Sequence, residues 1–172
     1  MRTSAKLDKK HIIRCIELAE RSFKKGESPF GSVVVKDGKV ISESGNEVFK
    51  NKDITKHAEM IAILAAQKKV GKKNLSKCTL YTICEPCPMC SFLLRELKFK
   101  KVVYSLESPY MGGHGKWNIL KDPYLERLKP VFSKPPIVIK GVMKNKAMGV
   151  FRRAGWGPMF DKNFYKNVII KK

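Results

Sequence analysis

Apolar positions recur along the chain with two periods, one helical and one alternating. Between Leu7 and Lys25, Ile12, Ile13, Ile16, Ala19 and Phe23 form one stripe with lysines and arginines opposite, the spacing of an amphipathic helix that Gly26 ends. Ser28-Pro29-Phe30-Gly31 breaks the pattern. Two β-rich runs follow, Ser32–Lys36 and Lys39–Ser44, about an Asp37-Gly38 turn, and read as a hairpin. Gly45–Lys56 is polar loop. From His57 the run HAEMIAILAA is dense in helix formers and predicts a helix to about Val70, with Thr55 as its N-cap. Beyond a loop over 71–77, Cys78–Cys84 (CTLYTIC) reads as a strand, Pro88–Leu97 as a helix and Lys101–Leu106 as a strand. The pattern weakens over Glu107–Pro136 into loop and short helix. Ile137–Met143 is the fifth strand and Lys144–Ala154 a closing helix.

That order of elements predicts an α/β fold, a three-layer α/β/α sandwich around a five-stranded mixed sheet. At 172 residues the chain is expected to form a single domain over 1–172, large enough to bury a core without staples. It carries no internal repeat, linker or low-complexity tract.

Charge changes the picture more than length does. Thirty-six basic residues stand against 15 acidic ones, a net charge of +21, and such a field draws polyanions, with RNA as the expected partner. The C-terminal lysines and arginines are candidate phosphate contacts. A general lysine bias gives the same total, and scattered lysine doublets are equally a solvated face. Five cysteines without framework spacing argue against a secreted disulfide scaffold. No apolar run approaches the roughly 18 residues of a membrane span, and MRTSAKLDKK lacks the apolar stretch of a secretory signal. No membrane partner and a cytoplasmic location are the expectations.

The candidate chemistry sits in His57-Ala58-Glu59 and, thirty positions on, Pro86-Cys87-Pro88-Met89-Cys90. One imidazole and two thiolates offer three ligands to a Zn²⁺ ion. Structural zinc takes four, whereas catalytic zinc takes three and keeps a position for water, whose pKa it lowers toward neutrality. Glu59, two residues from the histidine, is placed to move protons rather than to ligate. Cys87 followed by Pro88 reads as N-cap and first helical position. Both sulfurs then face unpaired N–H groups, which favour thiolate and could brace developing charge. His57 and Glu59 point to opposite flanks of their helix, so they share a site only if it lies off the helix end. A structural zinc clip, completed by Cys84 or His114, is the alternative.

These residues resemble the cytidine-deaminase-like superfamily, in the branch of tRNA adenosine deaminases, guanine deaminases and fungal-type cytosine deaminases. The matching pieces are Pro29–Val35, Gly45-Asn46, Asp53–Glu59 and Leu80–Cys90, and the resemblance covers roughly residues 8 to 106. It implies Zn²⁺ on His57, Cys87 and Cys90, Glu59 as proton shuttle, Asn46 and the Ala58 backbone against the substrate base, and at least a homodimer. Further substrate candidates are Pro86 beside the ligand turn, Phe30 and Trp117 as stacking rings, and His114. Each aromatic could equally be core, and Asn46 a turn residue. Pro29-Phe30-Gly31 and Cys84–Pro88 look more like guanine deaminases, while Ser108–Trp117 follows neither pattern. Gly112, Gly113 and Gly115 suggest that Tyr110–Trp117 is a mobile lid that closes over the base. The expected function is zinc-dependent hydrolytic deamination of a nucleobase, adenosine to inosine in tRNA. The alternatives are a free guanine or cytosine deaminase, and a non-catalytic zinc-stabilised nucleic-acid-binding module or partner subunit.

Overall fold

The computed structural model describes residues 2–71, 75–161 and 163–164. Residues 72–74 of the expected 71–77 loop, and the lysines from 166 onward among the candidate phosphate contacts, lie outside the described residues. The hairpin strands β1 (Gly31–Lys36) and β2 (Lys39–Gly45) turn through Asp37 and Gly38, both at positive φ, as a tight two-residue hairpin requires. A bulge between Val34 and Val35 then re-registers β1 against β2. On its other edge β1 pairs antiparallel with β3 (Cys78–Cys84). β3 runs parallel to β4 (Lys101–Leu106), and β4 parallel to β5 (Ile137–Ile139). The sheet order is β2-β1-β3-β4-β5, a five-stranded mixed sheet.

Alternating side chains divide the core in two. Val33, Val35, Tyr81, Ile83 and Val103 face one side, against α1 (Arg2–Lys24) and Ala147, Val150 and Phe151 of α5 (Lys144–Arg153). Val34, Leu80, Val102 and Tyr104 face the other, against Ala62, Ile63 and Ala66 of α3 (Ala58–Val70) and Leu94 of α4 (Pro88–Glu96). Period-two strands with both faces apolar need a helical layer on each side, and this chain supplies both. A buried ionic clamp fixes α1 to the sheet: Asp8 accepts from Lys101 Nζ at 2.8 Å and from the Tyr81 hydroxyl at 2.8 Å.

Four local expectations need correcting. α1 begins at Arg2, and its inward stripe is rotated: Cys15, Leu18, Ala19 and Ser22 are buried while Phe23 is 42% exposed. Thr55 is not the cap of α3, because its N–H and hydroxyl both bond Asp53 Oδ1 in a turn and His57 takes the N-cap position. The polar loop contains one short helix, α2 (Val48–Asn51). β5 stops at Ile139 rather than Met143, since Gly141 and Met143 adopt positive φ and turn the chain into α5.

The long connection between β4 and β5 is pinned by a side chain the hydrophobic pattern gave no reason to notice. Arg95, in the last turn of α4, is completely buried and donates to the carbonyls of Ile119 (2.6 Å), Asp122 (2.9 Å) and Ser133 (2.8 Å). A connection whose regular structure among the described residues is one 3-10 helix, Tyr124–Leu128, must satisfy its buried carbonyls somewhere, and a guanidinium fork does so three times. Replacing Arg95 with Leu should cost about 3 kcal/mol, because partners are left buried and unpaired. Urea unfolding measures it. A loss below about 1 kcal/mol would mean that water reaches those carbonyls.

Candidate metal centre and active site

Two helix N-termini deliver the candidate ligands. His57 is the N-cap of α3 in extended backbone (φ −62°, ψ 148°), and Cys87 is the N-cap of α4 (φ −67°, ψ 172°) with Pro88 behind it. An N-cap side chain leaves the helix axis and projects past its end. Both caps can therefore reach one point, and Cys90, one turn into α4, joins them on the same side. His57 Nδ1 lies 3.6 Å from Cys87 Sγ and 3.8 Å from Cys90 Sγ, and the sulfurs are 3.7 Å apart. Zinc–sulfur bonds of about 2.3 Å and zinc–nitrogen bonds of about 2.05 Å at tetrahedral angles require edges of about 3.8 Å (S···S) and about 3.6 Å (N···S). The three atoms match one face of that tetrahedron. Among the described residues, this group of potential ligands comprises His57, Cys87 and Cys90; Cys84 and His114 are not in it.

The charges fit the same centre. A hydrogen bond from the Cys90 thiol pulls the Cys87 thiol down to about 4, with His57 adding to the effect against burial. That same bond, with burial, holds Cys90 well above the ordinary thiol range. A divalent cation at their centre would favour both sulfurs as thiolates. The hydrogen bond to Cys87 raises the His57 imidazole despite burial.

Glu59, in the first turn of α3, is buried, and burial pushes its carboxyl up to about 7, with the Cys87 charge adding to the rise. It is held from the sheet. Thr82 Oγ1 donates to Glu59 Oε1 at 3.4 Å, and Ser32 Oγ donates to Thr82 Oγ1 at 3.0 Å across the β1–β3 pair. Ser32 and Thr82 are fully buried and directly opposed in register. The pattern reading missed both. The available signal was a hydroxyl on each of two strands that are otherwise buried on both faces.

Around this centre the other candidates separate. Ala58 is fully buried at the first position of α3. Asn46 is 4% exposed, and its Nδ2 donates to Glu27 Oε2 at 3.1 Å, which orients the amide with Oδ1 turned away from Glu27. Glu27 also accepts the N–H groups of Phe49 (3.1 Å) and Lys50 (2.7 Å), so it anchors α2 as well. Glu27 was absent from the sequence candidates. The backbone N–H of Asn46 donates to the Phe30 carbonyl, while the Phe30 ring packs edge-on against Phe151 (5.4 Å) and Trp156 (5.5 Å). That places Phe30 in an aromatic cluster with the C-terminal elements.

The Ser108–Trp117 segment is strapped down, contrary to the mobile lid its glycines suggested. Glu85 accepts three of its N–H groups, and the Gly113 N–H bonds the Pro86 carbonyl. Its glycines answer to crowding, since a Cβ at Gly112 would fall 2.4 Å from the Glu85 carboxylate. His114 Nδ1 lies 3.5 Å from the hydroxyl of buried Tyr104. Trp117 is 54% exposed, and its indole N–H donates to the Tyr110 carbonyl at 3.2 Å. No hydrogen bond or ring contact among the described residues joins Trp117 to His57, Glu59, Cys87 or Cys90.

Comparison with known proteins agrees with this geometry. The family model described as the cytidine and deoxycytidylate deaminase zinc-binding region matches residues 5–106. A tRNA-specific adenosine deaminase of Aquifex aeolicus (strain VF5) is 44% identical over 108 residues, 62% of this chain and 72% of that protein. A guanine deaminase of Bacillus subtilis (strain 168) is 48% identical over 79 residues, 46% of this chain and 51% of that protein, so the match spans about half of that relative. A solved structure from work on A-to-I editing by tRNA:A34 deaminases at the wobble position superposes with a TM-score of 0.69 at 26% identity. That superposition covers 82% of this chain and 99% of the other.

If the three converging side chains hold the metal, Cys87→Ala and Cys90→Ala should each lose zinc and stability together, because metal-binding free energy is partly folding free energy. Elemental analysis should find about one zinc per wild-type chain. A full complement of zinc in the double mutant would contradict the assignment.

Proposed function

Because the chain belongs to the cytidine and deoxycytidylate deaminase zinc-binding family, we propose that it converts adenosine to inosine in tRNA, with Glu59 as the proton shuttle. The family makes it a zinc-dependent aminohydrolase. The observation that carries the catalytic reading is a buried carboxylate beside a ligand set of three rather than four. A structural zinc clip has no use for Glu59.

In this reading His57, Cys87 and Cys90 hold Zn²⁺, which when bound supplies the Lewis acidity that makes water nucleophilic at neutral pH. Glu59 takes a proton from the attacking water and delivers it to the ring nitrogen beside the reacting carbon, then carries the remaining hydroxyl proton to the exocyclic amino group. A carbon–oxygen bond forms, the carbon–nitrogen bond breaks, ammonia leaves and the ring carbon keeps the oxygen. The Ser32–Thr82 hydroxyl pair steadies Glu59 through both transfers. Asn46, with its amide nitrogen committed to Glu27, presents Oδ1 to an N–H of the base. Ala58, Pro86, Phe30 and His114 are the further substrate contacts of this proposal, with Trp117 the outermost.

RNA as the substrate is supported by the net charge of +21 and by the names of the tRNA-acting relatives. The guanine alternative is supported by the 48% identity to a guanine deaminase across the matched half. A homodimer belongs to the same proposal: Leu64 on α3 and Phe92 on α4 leave the helical layer that carries the ligands with exposed apolar side chains. A cytoplasmic location belongs to it as well; no described helix is long and apolar enough to cross a membrane.

A substrate panel separates the readings. Purified protein offered tRNA, adenosine, guanine, cytosine and cytidine should release ammonia from tRNA and leave inosine in it. tRNA affinity should fall with salt on a log–log slope of about one unit per phosphate contact. Salt-independent ammonia release from free guanine or cytosine, without tRNA binding, would replace the tRNA reading with the free-base one.

A further inference from the structure

Glu85 is buried two residues before Cys87, and its carboxylate is bonded into the connection after β4. Its Oε1 accepts the N–H groups of His114 (2.9 Å) and Gly115 (2.5 Å), and its Oε2 accepts that of Ser108 (2.9 Å). A fourth loop amide donates to the same turn. The Gly113 N–H donates to the Pro86 carbonyl at 2.8 Å, and Ser91 Oγ donates to the same carbonyl at 3.2 Å. Pro86 immediately precedes Cys87 and Ser91 immediately follows Cys90, so the loop touches both ends of the ligand turn. Glycine is required for this approach: a Cβ at Gly112 would lie 2.4 Å from the Glu85 carboxylate, and one at Gly113 would lie 2.0 Å from Ser91 Oγ.

We infer that Glu85 is a positioning residue for the metal: by gathering the amides of Ser108, His114 and Gly115 it seats the loop on Pro86 and Ser91, and so fixes the turn that aims Cys87 and Cys90 at one centre. The inference rests on the reading of that turn as a zinc site. Groups that ligate no metal but hold its ligands in place govern how long it stays, and replacing them typically costs about 10–100-fold in affinity. A carboxylate collecting three N–H groups has no neutral substitute of its shape, because an amide must turn an NH₂ toward donors. The coupling is also reciprocal: whatever the seated loop contributes to metal retention, bound metal contributes to loop order.

The test compares zinc release from folded, zinc-loaded protein into excess chromogenic chelator for wild type, Glu85→Gln and Gly112→Ala. Gly112→Ala leaves the carboxylate chemistry intact and displaces it by crowding alone, so it carries the same expectation if Glu85→Gln does not fold. Both variants should release zinc about 10–100-fold faster than wild type. In wild type, stripping the zinc should speed hydrogen exchange at the amides of Ser108, His114 and Gly115. A general loss of stability would move the urea midpoint without moving release from the folded state. Wild-type release rates in variants whose loop amides exchange faster would overturn the inference and leave the zinc site standing. A wild-type chain that takes up no zinc would overturn both.

Discussion

Everything in this molecule that bears on function depends on two helix ends meeting. α3 and α4 lie on the same side of the sheet, and each begins with a residue that could ligate a metal as its N-cap. A cap residue has extended backbone and a side chain free to leave the axis, so the ligands converge beyond the helices rather than between them. The unpaired N–H groups and positive dipole end of α4 favour thiolate at Cys87. Proline at the start of α4 costs no hydrogen bond, since that N–H has no partner in any helix. The site thus uses helix-terminus chemistry that every helix possesses and few direct at a common point.

The sheet supplies the second half of the arrangement. Glu59 sits on α3, but its orientation is set from β3 by Thr82, and that of Thr82 from β1 by Ser32. The chain of hydroxyls exists only because β1 and β3 pair with Ser32 opposite Thr82. A slip of β1 by one residue would turn Ser32 to the other face and break the chain. The strands therefore matter to chemistry through register, and the hairpin bulge at Val34/Val35 lets β2 pair without disturbing it.

Much of this was legible in the sequence, for identifiable reasons. Helix and strand periods give the five strands and the main helices because both core faces are built from regular alternation. The spacing of His57, Glu59, Cys87 and Cys90 implies a site off a helix end, which is where the ligand atoms meet. What escaped was of another kind. Arg95 and Glu27 are buried side chains whose partners include backbone groups, of the long connection for Arg95 and of the short α2 for Glu27, and hydrophobic periodicity is blind to such pairings. The glycines of Gly112–Gly115 misled because glycine serves both mobility and close approach, and only the position of Glu85 shows which operates here. Phe23 misled because a helical stripe specifies a face to within one residue, and Ser22 took the inward position to reach the Asn46 carbonyl.

The central claim is that Glu59 moves the protons of a hydrolytic deamination at a centre that His57, Cys87 and Cys90 hold. The most direct measurement is single-turnover ammonia release by Glu59→Gln, on whichever base the wild type deaminates, with zinc content determined on the same sample. The substitution keeps the shape of the side chain and removes its capacity to accept a proton. The account predicts full zinc occupancy and a rate reduced by at least about 10²-fold, the lower end of what a positioned general acid–base contributes. A zinc-replete Glu59→Gln protein that turns over within about tenfold of wild type would contradict it.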